Sequence, residues 1–97
     1  MIVGACLLTL RLPENHSLKE KRRVLKSVIE RMKNRFGVAA AEVGSNDLWQ
    51  IAEIGFSCVS SSSAHVSDIL TNVISFVEET RLDAELIDVH TELLTVE

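Results

Sequence analysis

Apolar and polar positions alternate along the first segment. Ile2, Gly4, Cys6, Leu8, Leu10 and Leu12 are all small or apolar, while the odd positions drift from Val3 to Thr9 and Arg11. A period of two predicts a strand with one buried face and one partly wet face. Pro13 stops it, because proline has no N–H to give to a ladder. The period then changes: Leu18, Leu25, Val28, Ile29, Met32 and Phe36 form one stripe at helical spacing. Ser17-Leu-Lys-Glu20 ahead of that stripe is a capping box. Its serine hydroxyl accepts from the N–H of residue 20, and its glutamate reaches back to the N–H of residue 17. Gly37 supplies the left-handed residue that closes the helix.

Val38 to Val43 reads as a short strand, weakly specified by its three alanines, and Gly44-Ser-Asn-Asp47 as a turn. Alternation resumes from Gln50 to Ser60, with Ala52, Ile54, Phe56 and Cys58 on one face. The serine run Ser60 to Ser63 offers several N-caps for a second helix. Val66, Ile69, Leu70, Val73, Ile74 and Val77 form its apolar face, and it ends near Thr80. Arg81-Leu-Asp83 leads into a last strand, Ala84 to Val96, where Ile87, Val89 and Leu93 alternate with Asp88, His90 and Glu92.

The resulting order, β-α-β-β-α-β, is the ferredoxin-like plan of the α+β class: a four-stranded antiparallel sheet with two helices on one face. The open face is then expected to show Val3, Ala5, Leu7, Thr9, Arg11, Ile51, Glu53, Ser57 and Val59. Glu42, Asp88, His90 and Glu92 are expected to join them.

Length and composition agree with one folded domain over residues 1–97: the chain is 46% apolar and 25% charged, with no repeat or linker. The longest apolar stretch, Met1 to Leu10, falls far short of the roughly 20 residues a membrane span needs. Nor does it read as a signal peptide, since no basic segment precedes it and it alternates like a strand. A cytoplasmic protein without membrane contact is expected. Cys6 and Cys58 then read as reduced, buried thiols. With no CxxC or HxxxH spacing they do not make a metal site, and no cofactor is expected.

Charge changes the picture more. The net charge is −4, yet eight of the ten basic residues lie between Lys19 and Arg35. Only Glu20 and Glu30 oppose them, so this stretch carries +6 and the remainder −10. At 100° per residue, Lys19, Arg22, Arg23, Lys26 and Lys33 share one flank of the first helix, and Arg31 and Arg35 the other. A solvated helix face is normally mixed in sign. Like charges one turn apart, as in Lys19/Arg23 and Arg22/Lys26, cost a few tenths of a kcal/mol each. Two explanations stay open: an ordinary solvated face, or a surface for a polyanion such as RNA, a ribonucleoprotein or an acidic protein. Recognition of RNA by the sheet face is disfavoured, because that mode stacks bases on aromatics of the central strands. The only aromatics are Phe36, Trp49, Phe56 and Phe76, and Phe56 falls on the helix-facing side.

Three further sites are candidates. Glu53 with Glu92 or Asp88, near His90, is a conceivable general acid–base set. An open sheet face does not exclude water, however, and no phosphate loop or nucleophile motif accompanies it, so a non-enzymatic protein is expected. Asp47 and Trp49 make a candidate interaction loop, against the plainer reading that Asp47 bonds within its turn while Trp49 packs over the edge of the core. Val3, Ala5, Leu7, Ile51 and Val59 are the candidate dry centre of a sheet-face contact, with a homo-oligomer or another protein.

Three stretches together resemble the YlxP-like family, a bacterial family of unknown function. They are the first strand running to Leu12-Pro13, Ser17-Leu-Lys-Glu-Lys-Arg-Arg-Val-Leu-Lys26, and Ala41-Glu-Val-Gly-Ser-Asn-Asp-Leu-Trp-Gln50 continuing to Ala52-Glu53. Ala64-His-Val66 and Ala84-Glu-Leu86 match as well. The resemblance implies a ferredoxin-like fold. It also implies a setting around RNA or the ribosome, since family genes tend to lie beside those for transcription elongation, translation initiation and ribosome maturation factors. It carries no catalytic residues. Leu7 and Thr9 stand where the family tends to place charge, so the sheet face here is more apolar than the family pattern.

Overall fold

The computed structural model describes residues 1–13, 15–80 and 84–97. The elements are β1 (Ile2–Arg11), α1 (Leu18–Phe36), β2 (Ala39–Gly44), β3 (Ile51–Ser60), α2 (Ser63–Glu79) and β4 (Glu85–Thr95). The connector expected at Arg81-Leu-Asp83 lies outside the described residues. The four strands form one sheet in the order β2-β3-β1-β4, with every neighbour antiparallel. Both helices cover the same face, which is the α+β ferredoxin-like arrangement.

Local chemistry sets the helix limits. Ser17 accepts from the N–H of Glu20 at 3.1 Å, and the Glu20 carboxylate accepts from the N–H of His16 at 3.3 Å. The reciprocal bond therefore lands one residue earlier than a strict capping box places it. Gly37, at φ 66°, donates to Lys33 O and closes α1 in the left-handed conformation that glycine adopts without a Cβ penalty. Of the serine run, Ser62 is the cap of α2, accepting from the N–H of His65.

The core lies between sheet and helices. Cys6, Leu8, Leu10, Ala52, Ile54 and Phe56 meet Leu25, Val28 and Met32 from α1 and Val66, Leu70, Val73 and Val77 from α2. The closest approach is at Gly4, where a Cβ would collide with the Val66 side chain and crowd Leu70. Cys6 is buried and Cys58 half-buried, and both are free thiols. Burial pushes the Cys6 thiol up to about 11, and Cys58 rises for the same reason, offset in part by a backbone hydrogen bond from Gly4.

Three sequence expectations need correction. Glu42 pairs in register with the buried Ile54, so it points toward the helices rather than the open face. Ile87, Val89 and Leu93 are not buried: Val89 is 39% and Leu93 45% exposed, because the helices sit over β2, β3 and β1 and barely reach β4. Trp49 is 54% exposed and does not pack over the core. The open face otherwise holds the expected residues. Val3, Ala5, Leu7 and Thr9 of β1 stand opposite Val59, Ser57, Gly55 and Glu53 of β3, and opposite Leu94, Glu92, His90 and Asp88 of β4.

Candidate functional site

The basic flank of α1 is in place. Lys19, Arg22, Arg23, Lys26 and Lys33 are all exposed, and among the described residues none has an ion-pair partner within 4.0 Å. At 1.5 Å per residue the row is about 21 Å long. Glu30 falls on the same arc, leaving five cations against one acid.

Not every cation of α1 belongs to that row. Arg31 and Arg35 lie over the Phe76 ring, with guanidinium carbons 5.8 and 5.3 Å from its centroid, and Arg35 also covers Phe36. Lys33 and Arg35 occupy the last turn, where cations oppose the negative end of the helix dipole and stabilise it. At the other end Glu20 is the acid of the first turn, and its carboxylate is engaged with the N–H of His16. Lys19 sits in the first turn and Arg22 and Arg23 in the second, near the positive pole, where anions are favoured. The N-terminal half of the flank is therefore the part that folding explains least.

Lys21 is the exception, and the sequence pattern passed over it. It is 1% exposed, and its Nζ donates to Ser45 O at 2.6 Å and Leu48 O at 2.8 Å and pairs with Glu42 Oε2 at 3.1 Å. Two carbonyls take its protons and the Glu42 carboxylate balances its charge, which is what burying an ammonium requires. Position 21 completes the stripe Leu18, Leu25, Val28, Met32 at helical spacing, and that periodicity was the available signal. Asn15, also buried, does a similar job from the loop before α1. Its Nδ2 donates to Ser17 O and Trp49 O, while Gln50 Nε2 donates back to Pro13 O and Asn15 O.

These bonds fix the β2–β3 loop against the first turns of α1. Ser45 adopts φ 55° there, and its hydroxyl donates to Glu53 at 2.9 Å. The loop presents Asp47, Leu48 and Trp49 to solvent, and no hydrogen bond of the Asp47 side chain is found among the described residues. Asp47 and Trp49 thus stand together on a pinned loop at the basic, N-terminal end of α1. The loop carries an exposed indole, and α1, to which the loop is anchored through Lys21, carries the unpaired cations on its outer flank.

The open sheet face is a separate region. Val3, Ala5, Leu7, Ile51 and Val59 all lie on it, the first four half-buried and Val59 exposed. A shallow groove of about 500 Å³ runs over Ala5, Leu7, Ala41, Val43 and Gly55, with His90 and Glu92 at one rim. His90 Nε2 is 3.4 Å from Glu92 Oε1, both side chains being well exposed. Glu53, bonded to Ser45, and Asp88, on the outer strand, are not gathered with that pair. Among the described residues no group of three or more His, Cys, Asp or Glu is placed to hold a metal ion, and no helix is long and apolar enough to cross a membrane.

The profile of the family described as "Protein of unknown function (DUF503)" matches residues 3–91. A 62-residue segment is 42% identical to "Uncharacterized protein YlxP" of Bacillus subtilis (strain 168), covering 64% of this chain and 67% of that protein. Among solved structures, the de novo designed protein Foldit4 superposes over 100% of both chains with a TM-score of 0.56 and 10% identity, a likeness of fold alone.

Proposed function

The chain belongs to the DUF503 family, and on that footing we propose that it is a small non-enzymatic accessory factor of the cytoplasm that docks on RNA or a ribonucleoprotein. Lys19, Arg22, Arg23, Lys26 and Lys33 contact phosphates, and Trp49 stacks on an unpaired base beside them. The observation that carries this reading is the row of exposed cations along α1, concentrated toward its positive end, together with an exposed indole on a loop pinned to the same helix. Cations there weaken the isolated fold, and an external anion removes that cost. Phosphate contacts from so few charges give affinities on the order of micromolar, mostly without sequence preference. A stacked base adds roughly 1–3 kcal/mol. The geometry suits a loop or bulge rather than a continuous duplex, since only an unstacked base is open to an indole.

The test compares wild type with a Lys19→Glu/Arg22→Glu/Lys26→Glu variant for binding to structured ribosomal RNA and for co-fractionation with ribosomal particles. The reading expects binding and co-fractionation for wild type and neither for the variant. Unchanged behaviour of the variant in both assays defeats it.

A second reading assigns the contact to the open face, as an adaptor for another protein. The apolar groove over Ala5, Leu7 and Gly55 favours it. Leu7→Glu puts a charge in that groove without touching α1. Loss of ribosomal co-fractionation in Leu7→Glu, with the charge-reversed variant unaffected, selects this reading.

A further inference from the structure

β4 is an edge strand with an uncommon surface. Among the described residues nothing pairs with its outer side, and Ile87, Val89, Leu93, Leu94 and Val96 are all exposed. Edge strands that remain solitary are blunted by charged side chains, lysine above all, by proline, by bulges or by short length; β4 carries the acids Glu85, Asp88 and Glu92. β4 has 11 residues with neither lysine nor proline, and its one irregularity is the register shift opposite Thr9/Leu10. The opposite edge, β2, is six residues long, alanine-rich and itself broken by a register shift.

We propose that β4 is a homodimerisation edge, two copies of the chain pairing β4 to β4 in antiparallel fashion about a two-fold axis at Thr91. The backbone supports it. Met1 and Val96 exchange both of their hydrogen bonds, at 2.9 and 2.8 Å, so they form a hydrogen-bonded pair of the β1–β4 ladder. Alternation along the register then turns the N–H and C=O groups of Leu94, Glu92, His90 and Asp88 toward β1. Those of Val89, Thr91 and Leu93 face outward, unpaired and aligned for a second strand.

Side chains select the register. A two-fold axis perpendicular to the sheet keeps each face with its like, so the centre must fall on a residue. Centred on Thr91, the pairing sets His90 opposite the second copy's Glu92, twice, at the non-hydrogen-bonded positions where side chains approach most closely. It also sets Val89 opposite Leu93, twice, covering the two apolar residues that α2 leaves bare. Moving the centre to His90 sets Asp88 against Glu92, and moving it to Glu92 sets that carboxylate against itself. An isologous pairing of this kind closes at two copies. It leaves α1 and the β2–β3 loop free, so it stands or falls independently of RNA docking.

Sedimentation equilibrium tests the proposal with three proteins at about 100 µM. Wild type is expected at twice 10.8 kDa. Thr91→Pro removes an outward N–H without disturbing the β1–β4 ladder, a placement proline tolerates on an edge strand. It is expected to be monomeric, with unchanged circular dichroism. Thr91→Cys places two thiols across the axis at a Cα separation of about 5.5 Å, within disulfide range. Mild oxidation is expected to link it fully, whereas His90→Cys, offset from the axis, links less than a tenth as much. A monomeric wild type overturns the proposal. So does an open-ended series of larger species, a Thr91→Pro dimer, or equal linking of the two cysteine variants.

Discussion

Replacing Lys21 with methionine isolates the clamp that positions the β2–β3 loop. The aliphatic stem is conserved in volume, so packing against Leu25 and its neighbours changes little, and what is lost is the ammonium. Ser45 O and Leu48 O lose their donor, and Glu42 loses its counter-charge. The Glu42 side chain is only 18% exposed, and its Oε2 has no aligned hydrogen-bond donor, so the ion pair is its compensation. Removing one partner of a buried pair costs about 3–5 kcal/mol. The residual exposure of Glu42 puts the expected loss near the lower end, about 3 kcal/mol. That is a large share of the 5–15 kcal/mol of a typical domain. Urea denaturation followed by far-ultraviolet circular dichroism reads it directly. With a slope of about 1–1.5 kcal/mol/M for a chain this size, the midpoint falls by roughly 2–3 M. Lys21→Met/Glu42→Leu removes both charges, and should recover to within about 1.5 kcal/mol of wild type. A Lys21→Met protein within 1 kcal/mol of wild type, or a double variant no more stable than the single, refutes the clamp.

The remaining predictions concern the loop, the closest helix–sheet contact and pH. Trp49→Ala should weaken RNA binding about 5- to 150-fold while leaving its salt dependence unchanged, because stacking releases no counterions; quenching of this sole tryptophan's fluorescence on RNA addition is the companion readout. Gly4→Ala should cost about 1–3 kcal/mol in the same urea assay, since Val66 on α2 must move aside. The Cys6 thiol titrates near 11 when folded against 9.0 unfolded, so the folded state holds its proton longer. Its contribution is complete below pH 9 and is lost as pH rises through 11, by roughly 3 kcal/mol at most. Cys6→Ala should lack that alkaline loss, and identical pH profiles for the two proteins would contradict it.

Periodicity carried most of the fold. The two helical stripes, the capping box, Gly37 and the alternation in β1 and β3 each appear where the pattern places them. Elements failed where the pattern was weak. β2, with three alanines, has no parity of its own, so nothing in its pattern fixes the face of Glu42; its direction depends on Lys21, 21 positions earlier in sequence. β4 has a clear parity, but periodicity cannot report how far the helices extend over an edge strand. The candidate site shows the same division. Exposure of the basic flank follows from its angle on the helix. Asn15 and Lys21, which pin the loop carrying Trp49 to the start of α1, act through backbone carbonyls, and no side-chain pattern encodes those partners.

RNA docking through α1 is tested most directly by the dependence of affinity on salt. Binding to structured ribosomal RNA is measured across a salt series for wild type and for Arg22→Gln and Lys26→Gln separately. The account predicts that log K falls against log salt with a slope of roughly −2 to −4 for wild type, and that each substitution brings the slope about 0.9 closer to zero. No binding at low salt, or a slope that neither substitution changes, contradicts it.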